Sequence, residues 1–355
     1  MKKAVIFSDP DFQDEAEDLA EGAGFLVLDK YKLPKRPNPK YFIQQDKLCS
    51  IKQDENIDAV IVFDLLKPRN FINLKRELGE KEVLDKTLLL LEIFAQHAGS
   101  KEAKLQIELA RIKYELPILK ESYTKTKITE QQGPLGAGTY GVESLIKLYN
   151  RRAVKITKDL ESLKKFKESL IQKGKNIGIP SMAIVGYTNA GKTTLFNSLT
   201  GLLQKVDSTM FTTMSPKRYS ISRDGKKVIL VDTVGFIRAI PPQIVDAFFV
   251  TLSEAKNANS LMLVMDSTLE ESLLIEYLRS SIYTLREIGI SGKPMLVVLN
   301  KIDKLMDKDL QNKEEIIVKV ASEIYCPIES IIPVSALKGM NLNKLRDEIF
   351  KLTFR

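Results

Sequence analysis

The residues best suited to chemistry are Gly186, Tyr187, Thr188, Asn189, Ala190, Gly191, Lys192 and Thr193, with Thr194 following. They match G-x-x-x-x-G-K-S/T and stand between the apolar run Met182-Ala183-Ile184-Val185 and a helical pattern, the context a phosphate-binding loop requires. Glycines let the backbone curl so that its N–H groups converge on phosphate oxygens. In that arrangement Lys192 neutralises the β- and γ-phosphates and the Thr193 hydroxyl ligates Mg²⁺. Some forty residues on, Asp232-Thr233-Val234-Gly235 follows the apolar run from Val228 to Val231. A carboxylate at that strand end can hold Mg²⁺ through water, and the Gly235 N–H can reach the γ-phosphate.

Two further strand ends carry base-reading groups. Asn300-Lys301-Ile302-Asp303 closes the run from Met295 to Leu299. Asp303 can accept from the two N–H donors on guanine's edge, a pair adenine lacks, and Lys301 can lie over the base. Ser335-Ala336-Leu337-Lys338 follows the last strand, where the Ala336 N–H can donate to the guanine carbonyl. Four motifs in order, each at a predicted strand end, point to a guanine-nucleotide crevice at the carboxyl edge of a parallel sheet. GTP is then substrate and GDP product, with Mg²⁺ held by Thr193, Asp232 and a switch threonine, for which Phe211-Thr212-Thr213-Met214 offers two candidates. The expected hydrolytic group is Lys192, Thr213, Gly235 and Phe236. Many regulatory GTPases place a water-orienting Gln where Phe236 stands, and a phenyl ring cannot orient water. Hydrolysis is therefore expected to be slow without a partner, with Phe236 as a gate or packing residue.

The elements that must position these groups read as an α/β protein in three parts. Residues 1–98 alternate short apolar runs (Ala4 to Phe7, Phe25 to Leu28, Ala59 to Phe63) with amphipathic stretches at Asp14 to Ala20 and Lys40 to Gln53, which predicts a smaller parallel α/β domain. Leu84 to Ile93 fits either a strand or a helix. Residues 99–176 carry two apolar stripes, Leu105-Leu109-Ile112-Leu116 and Tyr149-Ala153-Ile156-Leu160-Leu163, at the spacing of long helices with one packed face. With a glycine-rich loop expected from Gly133 to Gly141, they form a long antiparallel two-helix arm, and the stretch from Gly174 to Pro180 forms a hinge. Residues 177–355 alternate strands and helices as a P-loop GTPase domain with a mainly parallel sheet.

Charge separates the parts. The chain has 355 residues and net charge +8, yet residues 1–98 hold 15 basic and 18 acidic side chains, 99–176 hold 17 and 9, and 177–355 hold 22 and 19. The middle part thus carries an excess equal to the whole, which suggests a polyanionic partner, although a solvated helical face would look the same by charge alone. With His97 as the only histidine and Cys49 and Cys326 far apart, a histidine metal site or a Ser/His/Asp triad lacks raw material. No apolar run approaches the ~20 residues of a membrane helix. A monomeric cytoplasmic protein with free thiols and no membrane insertion is the expectation.

Outside the GTPase motifs, several strings resemble the HflX family of ribosome-associated GTPases. These are Asn73-Leu74 with Leu84-Asp85-Lys86-Thr87, the stretch from Glu92 to Ala98, the stretch from Glu102 to Ala110, and Tyr114-Glu115-Leu116-Pro117. The segment from Asp232 to Arg238 is similar to that family's second switch. By position in the family pattern the switch threonine corresponds to Thr213. The resemblance implies binding to the large ribosomal subunit and its RNA, and a role in splitting or rescuing ribosomes. Two departures stand out. Where the family's loop usually reads G-P-G-E-S/T, this chain has Gly136-Ala137-Gly138-Thr139-Tyr140-Gly141, and it stops at Arg355, without the extra C-terminal domain of many bacterial members. The competing reading is a signalling GTPase with protein partners whose helices form a coiled coil. Steep weakening by salt would mark RNA as the partner instead.

Overall fold

In the computed structural model, residues 1–98, 100–130, 137–173, 179–202, 217–233, 235–238, 241, 244, 252–290 and 292–354 are described. Contacts divide them into two units, one containing Met1–Lys175, the other Asn176–Ala239 and Phe248–Arg355.

The first unit opens with β1 (Lys2–Ser8), α1 (Gln13–Gly22), β2 (Phe25–Lys32), α2 (Gln45–Gln53), β3 (Ala59–Val62), α3 (Pro68–Leu78), β4 (Glu82–Asp85) and α4 (Lys86–His97). All four strands pair in parallel in the order β2-β1-β3-β4. β3 is buried throughout, as its unbroken Ala59-Val60-Ile61-Val62 requires of a central parallel strand. The ambiguous leucine-rich run is both things at once. Asp85 ends β4 and caps α4, its carboxylate accepting from the Leu88 N–H at 2.9 Å. α2 begins five residues later than the expected start at Lys40, because Asn38 bonds with Phe42 across a tight bend that a helix cannot contain. α3, with Pro68 in its first turn, went unread in the sequence.

α5 (Lys101–Glu130) and α6 (Ala137–Lys173) form the antiparallel arm. Leu105, Ile112 and Ile156 are buried between them, with Leu109, Tyr149, Ala153, Leu160 and Leu163 packed alongside, so the two predicted stripes face each other. Polar pairs flank the seam. Arg152 donates twice to Glu108, at 2.5 and 2.7 Å, and the Tyr149 hydroxyl donates to Glu115 at 2.8 Å. The glycine-rich loop is shorter than expected: α6 starts at Ala137, so Gly138 and Gly141 lie in its opening turns. A helix interior accepts a glycine at a cost of about 1 kcal/mol, which a long packed helix can absorb. Residues 131–136 and most of the expected hinge, 174–178, fall outside the described residues.

The second unit runs β5 (Ser181–Val185), α7 (Lys192–Thr200), β6 (Lys217–Arg223), β7 (Lys226–Asp232), a short α8 (Ser253–Asn257), β8 (Ser260–Asp266), α9 (Glu271–Glu287), β9 (Met295–Asn300), α10 (Asp307–Glu323), β10 (Ile328–Pro333) and α11 (Leu342–Thr353). The sheet order is β10-β9-β8-β5-β7-β6, and only β6 is antiparallel to its neighbour. Register pairs Ile184 with Asp232 and Asp266 with Asn300, which brings the carboxyl ends of β5, β7, β8 and β9 to one rim. Its core joins Met182, Ile184, Leu195, Phe196, Leu230, Met262, Val298, Val334 and Ile349, among others. Among the described residues no helix is long and apolar enough to cross a membrane.

A buried carboxyl links the first sheet to the arm. Asp85 is fully buried and also accepts from the Leu66 N–H and the Tyr114 hydroxyl. Burial pushes its carboxyl up to about 6, with the hydrogen bond from Tyr114 pulling the other way. A folded-state value raised above the ordinary 3.8 means that the folded chain holds the proton more tightly. Its contribution is present at low pH and is lost as pH climbs from about 4 to about 6. Thermal unfolding across that range should therefore show a downward slope in wild type that Asp85→Asn removes. At pH 7, Tyr114→Phe should lower stability by about 1–3 kcal/mol, because it strips a donor from the buried carboxylate.

Candidate active site

Strand β5 delivers the chain to the loop from Gly186 to Gly191, and α7 starts at Lys192. Two glycines there are dictated by close approach. Gly186 has φ 143°, and a Cβ on it would stand 2.2 Å from the Val264 carbonyl oxygen of the neighbouring strand. Gly191, at φ 86°, would bring a Cβ within 2.2 Å of the Asn300 amide nitrogen. Between them Asn189 is exposed at φ 60°, and the Ala190 N–H donates to Tyr187 O at 3.3 Å. Thr194, half-buried in the first turn of α7, gives its carbonyl to the Ser198 hydroxyl at 2.9 Å.

Lys192 is buried, with its ammonium donating to Tyr187 O at 2.6 Å. Burial lowers its pKa to about 8, and the nearby Asp232 carboxylate opposes that shift. Thr193 Oγ1 donates to Asp232 Oδ2 at 3.2 Å, so the two expected metal-binding oxygens are buried side by side. Hydroxyl and carboxylate oxygens are the hard donors that suit Mg²⁺. The Thr233 hydroxyl donates to Ile184 O at 2.6 Å and fixes the start of the switch segment to β5. Gly235 lies against the loop, where a Cβ on it would come 2.7 Å from Lys192 Nζ. Phe236 is 1% exposed and bridges back to the loop. Thr212, Thr213 and Val234 lie outside the described residues.

At the base end, Asn300 acts as a brace. Its Nδ2 donates to Ala190 O at 2.9 Å, and its Oδ1 accepts from the Ala336 N–H at 3.0 Å. In this structure the Ala336 N–H, expected to donate to the base carbonyl, points at Asn300 Oδ1. Asp303 Oδ1 accepts from the Ser335 hydroxyl at 2.6 Å, a bond that holds its carboxyl below the usual range and keeps it an acceptor. Ser335 is buried, Leu337 exposed, and the Lys338 N–H donates to Ser335 Oγ at 3.1 Å. Lys301 takes φ 70° and pairs with Asp266 Oδ2 at 2.6 Å.

The sequence reading missed Asp266, Ser267 and Tyr277. Ser267 gives both its N–H and its hydroxyl to Asn300 O, at 2.9 and 2.6 Å. Asp266 had a legible signal, a carboxylate closing an apolar run. Ser267 and Tyr277 had none, since nothing local tells which strand or loop they meet.

A parallel sheet whose carboxyl rim carries a phosphate loop, a buried Thr–Asp oxygen pair and a guanine-type acceptor defines a P-loop GTPase. Family models agree, matching a 50S ribosome-binding GTPase over residues 181–301, a GTP-binding GTPase N-terminal region over 11–95 and its middle region over 97–173. Among curated relatives, the GTPase HflX of Saccharolobus solfataricus is 64% identical over 352 residues, covering 99% of each chain. The Escherichia coli GTPase HflX is 36% identical over 322 residues, 86% of this chain and 74% of its own. The solved complex of SsGBP with GDP is similar at TM-score 0.70 and 57% identity, over 99% of this chain and 98% of that one. A GTP-binding protein from Sulfolobus solfataricus in complex with GDP matches 99% of both chains at 56% identity and TM-score 0.64. The chain belongs to the HflX family of GTPases.

Because Asn300 satisfies two buried backbone groups from separate strand ends, Asn300→Ala should lower the stability of this unit by about 2–4 kcal/mol. It should also weaken guanine-nucleotide binding without contacting the base. Thermal unfolding and GDP titration of the variant measure both effects.

Proposed function

We propose that this GTPase is a switch acting on the large ribosomal subunit, with its nucleotide held at the strand rim of the second unit and its basic arm, residues 99–176, against ribosomal RNA. The observation that carries the nucleotide half is the Asn300 brace, which ties the phosphate loop to the base-reading turn in a single hydrogen-bonded frame. In this reading the amides from Asn189 to Thr194 and the Lys192 ammonium take the phosphates. An ammonium already stripped of water gains most from an anion placed beside it. Thr193 and Asp232, with Thr213, would hold Mg²⁺, which supplies charge neutralisation on the β- and γ-oxygens. Asp303 would accept from the guanine edge, and Lys301, steadied by Asp266, would cover the base.

Phe236 supports the idea of partner activation. Its ring is buried against Tyr187, with centroids 5.9 Å apart, and offers nothing to water or to the transferring phosphoryl. The description of the matched family as ribosome-binding supports the choice of partner, and so does the arm's surface. Arg151, Lys155, Lys158, Lys164 and Lys165 are exposed along α6. Arg152 is not available in the same way, since Glu108 holds its guanidinium.

Asp303→Asn should reduce GDP affinity by about 2–4 kcal/mol, because a donor then faces the base's donors. Labelled GDP and ADP titrations test this, and a wild type that binds both equally would refute the guanine assignment. Single-turnover hydrolysis should be slow alone and faster by roughly 10³–10⁵ with large subunits present. Reversing Arg151, Lys155 and Lys158 to Glu should abolish that stimulation, with GDP affinity unchanged. Wild-type hydrolysis that is fast alone and indifferent to ribosomes would refute the partner reading.

A further inference from the structure

One group of side chains ties the loop and the switch segment to a helix outside both. The Tyr187 ring stacks on Tyr277 of α9, centroids 4.0 Å apart and planes 23° from parallel. Phe236 meets the same Tyr187 ring edge-on, at 78°. Beneath the rings the backbones form a parallel bridge: the Thr188 N–H donates to Phe236 O at 3.1 Å and the Phe236 N–H to Gly186 O at 2.9 Å. Two residues further on, the Arg238 guanidinium lies 5.8 Å over the Tyr277 ring and donates to Glu276 at 3.1 Å. Phe236 and Arg238 thus bracket the tyrosine stack, and α9 grips residues 235–238 through the adjacent Glu276 and Tyr277.

The grip has a consequence at Gly235. A Cβ there would stand 2.7 Å from Lys192 Nζ and 2.9 Å from the Thr188 nitrogen. The real Cα, one bond of about 1.5 Å behind, is therefore within about 4 Å of the ammonium. A phosphoryl group, with oxygens on every side of phosphorus, does not fit between an ammonium and a backbone that close. The clasped arrangement suits a diphosphate. The Lys192 ammonium ends a flexible side chain and can swing, but the Thr188 nitrogen is backbone, so room for a third phosphate is made most directly by moving Gly235 back, which Phe236 and Arg238 oppose through the stack.

We propose that Tyr277, and Glu276 acting through Arg238, are positioning residues that hold 235–238 in the diphosphate arrangement and so set the discrimination between GTP and GDP. The proposal rests on the GTPase reading of the site. Neither residue is asked to touch nucleotide.

The test uses the full chain, titrated with fluorescent GDP and a fluorescent non-hydrolysable GTP analogue. Wild type is compared with Tyr277→Ala, Tyr277→Phe and Glu276→Gln. An aromatic pair contributes roughly two- to tenfold to an equilibrium constant. Tyr277→Ala should raise the ratio of analogue affinity to GDP affinity by about that factor. Glu276→Gln should shift it the same way by less, and Tyr277→Phe, which keeps the ring, should match wild type. A variant that only folds less well loses both affinities together, so an unchanged ratio in Tyr277→Ala and Glu276→Gln overturns the proposal. Glu276 is exposed, which keeps that arm readable if Tyr277→Ala is unstable. A wild type that binds neither nucleotide overturns the GTPase reading and this proposal with it. A wild type that binds both, with a ratio insensitive to the variants, overturns this proposal alone.

Discussion

The side-chain amide of Asn300 is the interaction on which the rest of the site depends. It lies at the carboxyl end of β9, gives a hydrogen to the phosphate loop at Ala190 and takes one from the turn after β10 at Ala336. Parallel strands bring their ends to one rim, but nothing in the ladder fixes the loops that leave it. A buried amide with one donor and one acceptor committed to two different loops does so. It also explains a glycine: Gly191 sits where a Cβ would strike that amide. The Ser267 bonds to the Asn300 carbonyl add β8 to the same frame.

The frame leaves the switch segment as the movable part. Its start is fixed by Asp232 beside Thr193 and by Thr233 on β5. Its next residues are held by rings and a short backbone bridge instead of a sheet, and such contacts are individually modest. The bridge also uses the Thr188 N–H, so the phosphate loop and the segment after Asp232 share a direct hydrogen bond. In the proposed function, a site built this way would separate a braced floor for base and phosphates from a segment whose position a γ-phosphate would alter.

In the arm, charge sorts by position. Glu108 and Glu115 lie at the seam and engage Arg152 and Tyr149, while Lys101, Lys104, Lys113 and Lys120 of α5 and Arg151, Lys155, Lys158, Lys164 and Lys165 of α6 are exposed. A count of Lys and Arg cannot make that division. Pairing at the seam fixes the helices on each other, and the unneutralised remainder forms the field that a polyanion would meet.

Much of this protein was legible in the chain because the information was local. The phosphate loop, Asp232, Asn300 and Asp303 are short strings whose backbone requirements are met within a few residues. The stripes of α5 and α6 declare their packed faces by period alone. The buried runs of β1, β3, β5 and β9 read as strands for the same reason. What the chain could not reveal by itself depends on residues distant in sequence. Leu84 to Ile93 looked like one element, and only the cap bond of Asp85 divides it into strand and helix. The Ala336 N–H reads as a donor to the base, and only the fold brings it to Asn300, 36 residues away. Tyr277 carried no signal at all, because its meaning comes from a loop 90 positions earlier, stacked against it at 4.0 Å. Local strings determined which groups the site contains. Tertiary structure decided which of them are already committed to one another, because a hydrogen-bond donor or a ring face can serve only the partner that folding brings to it.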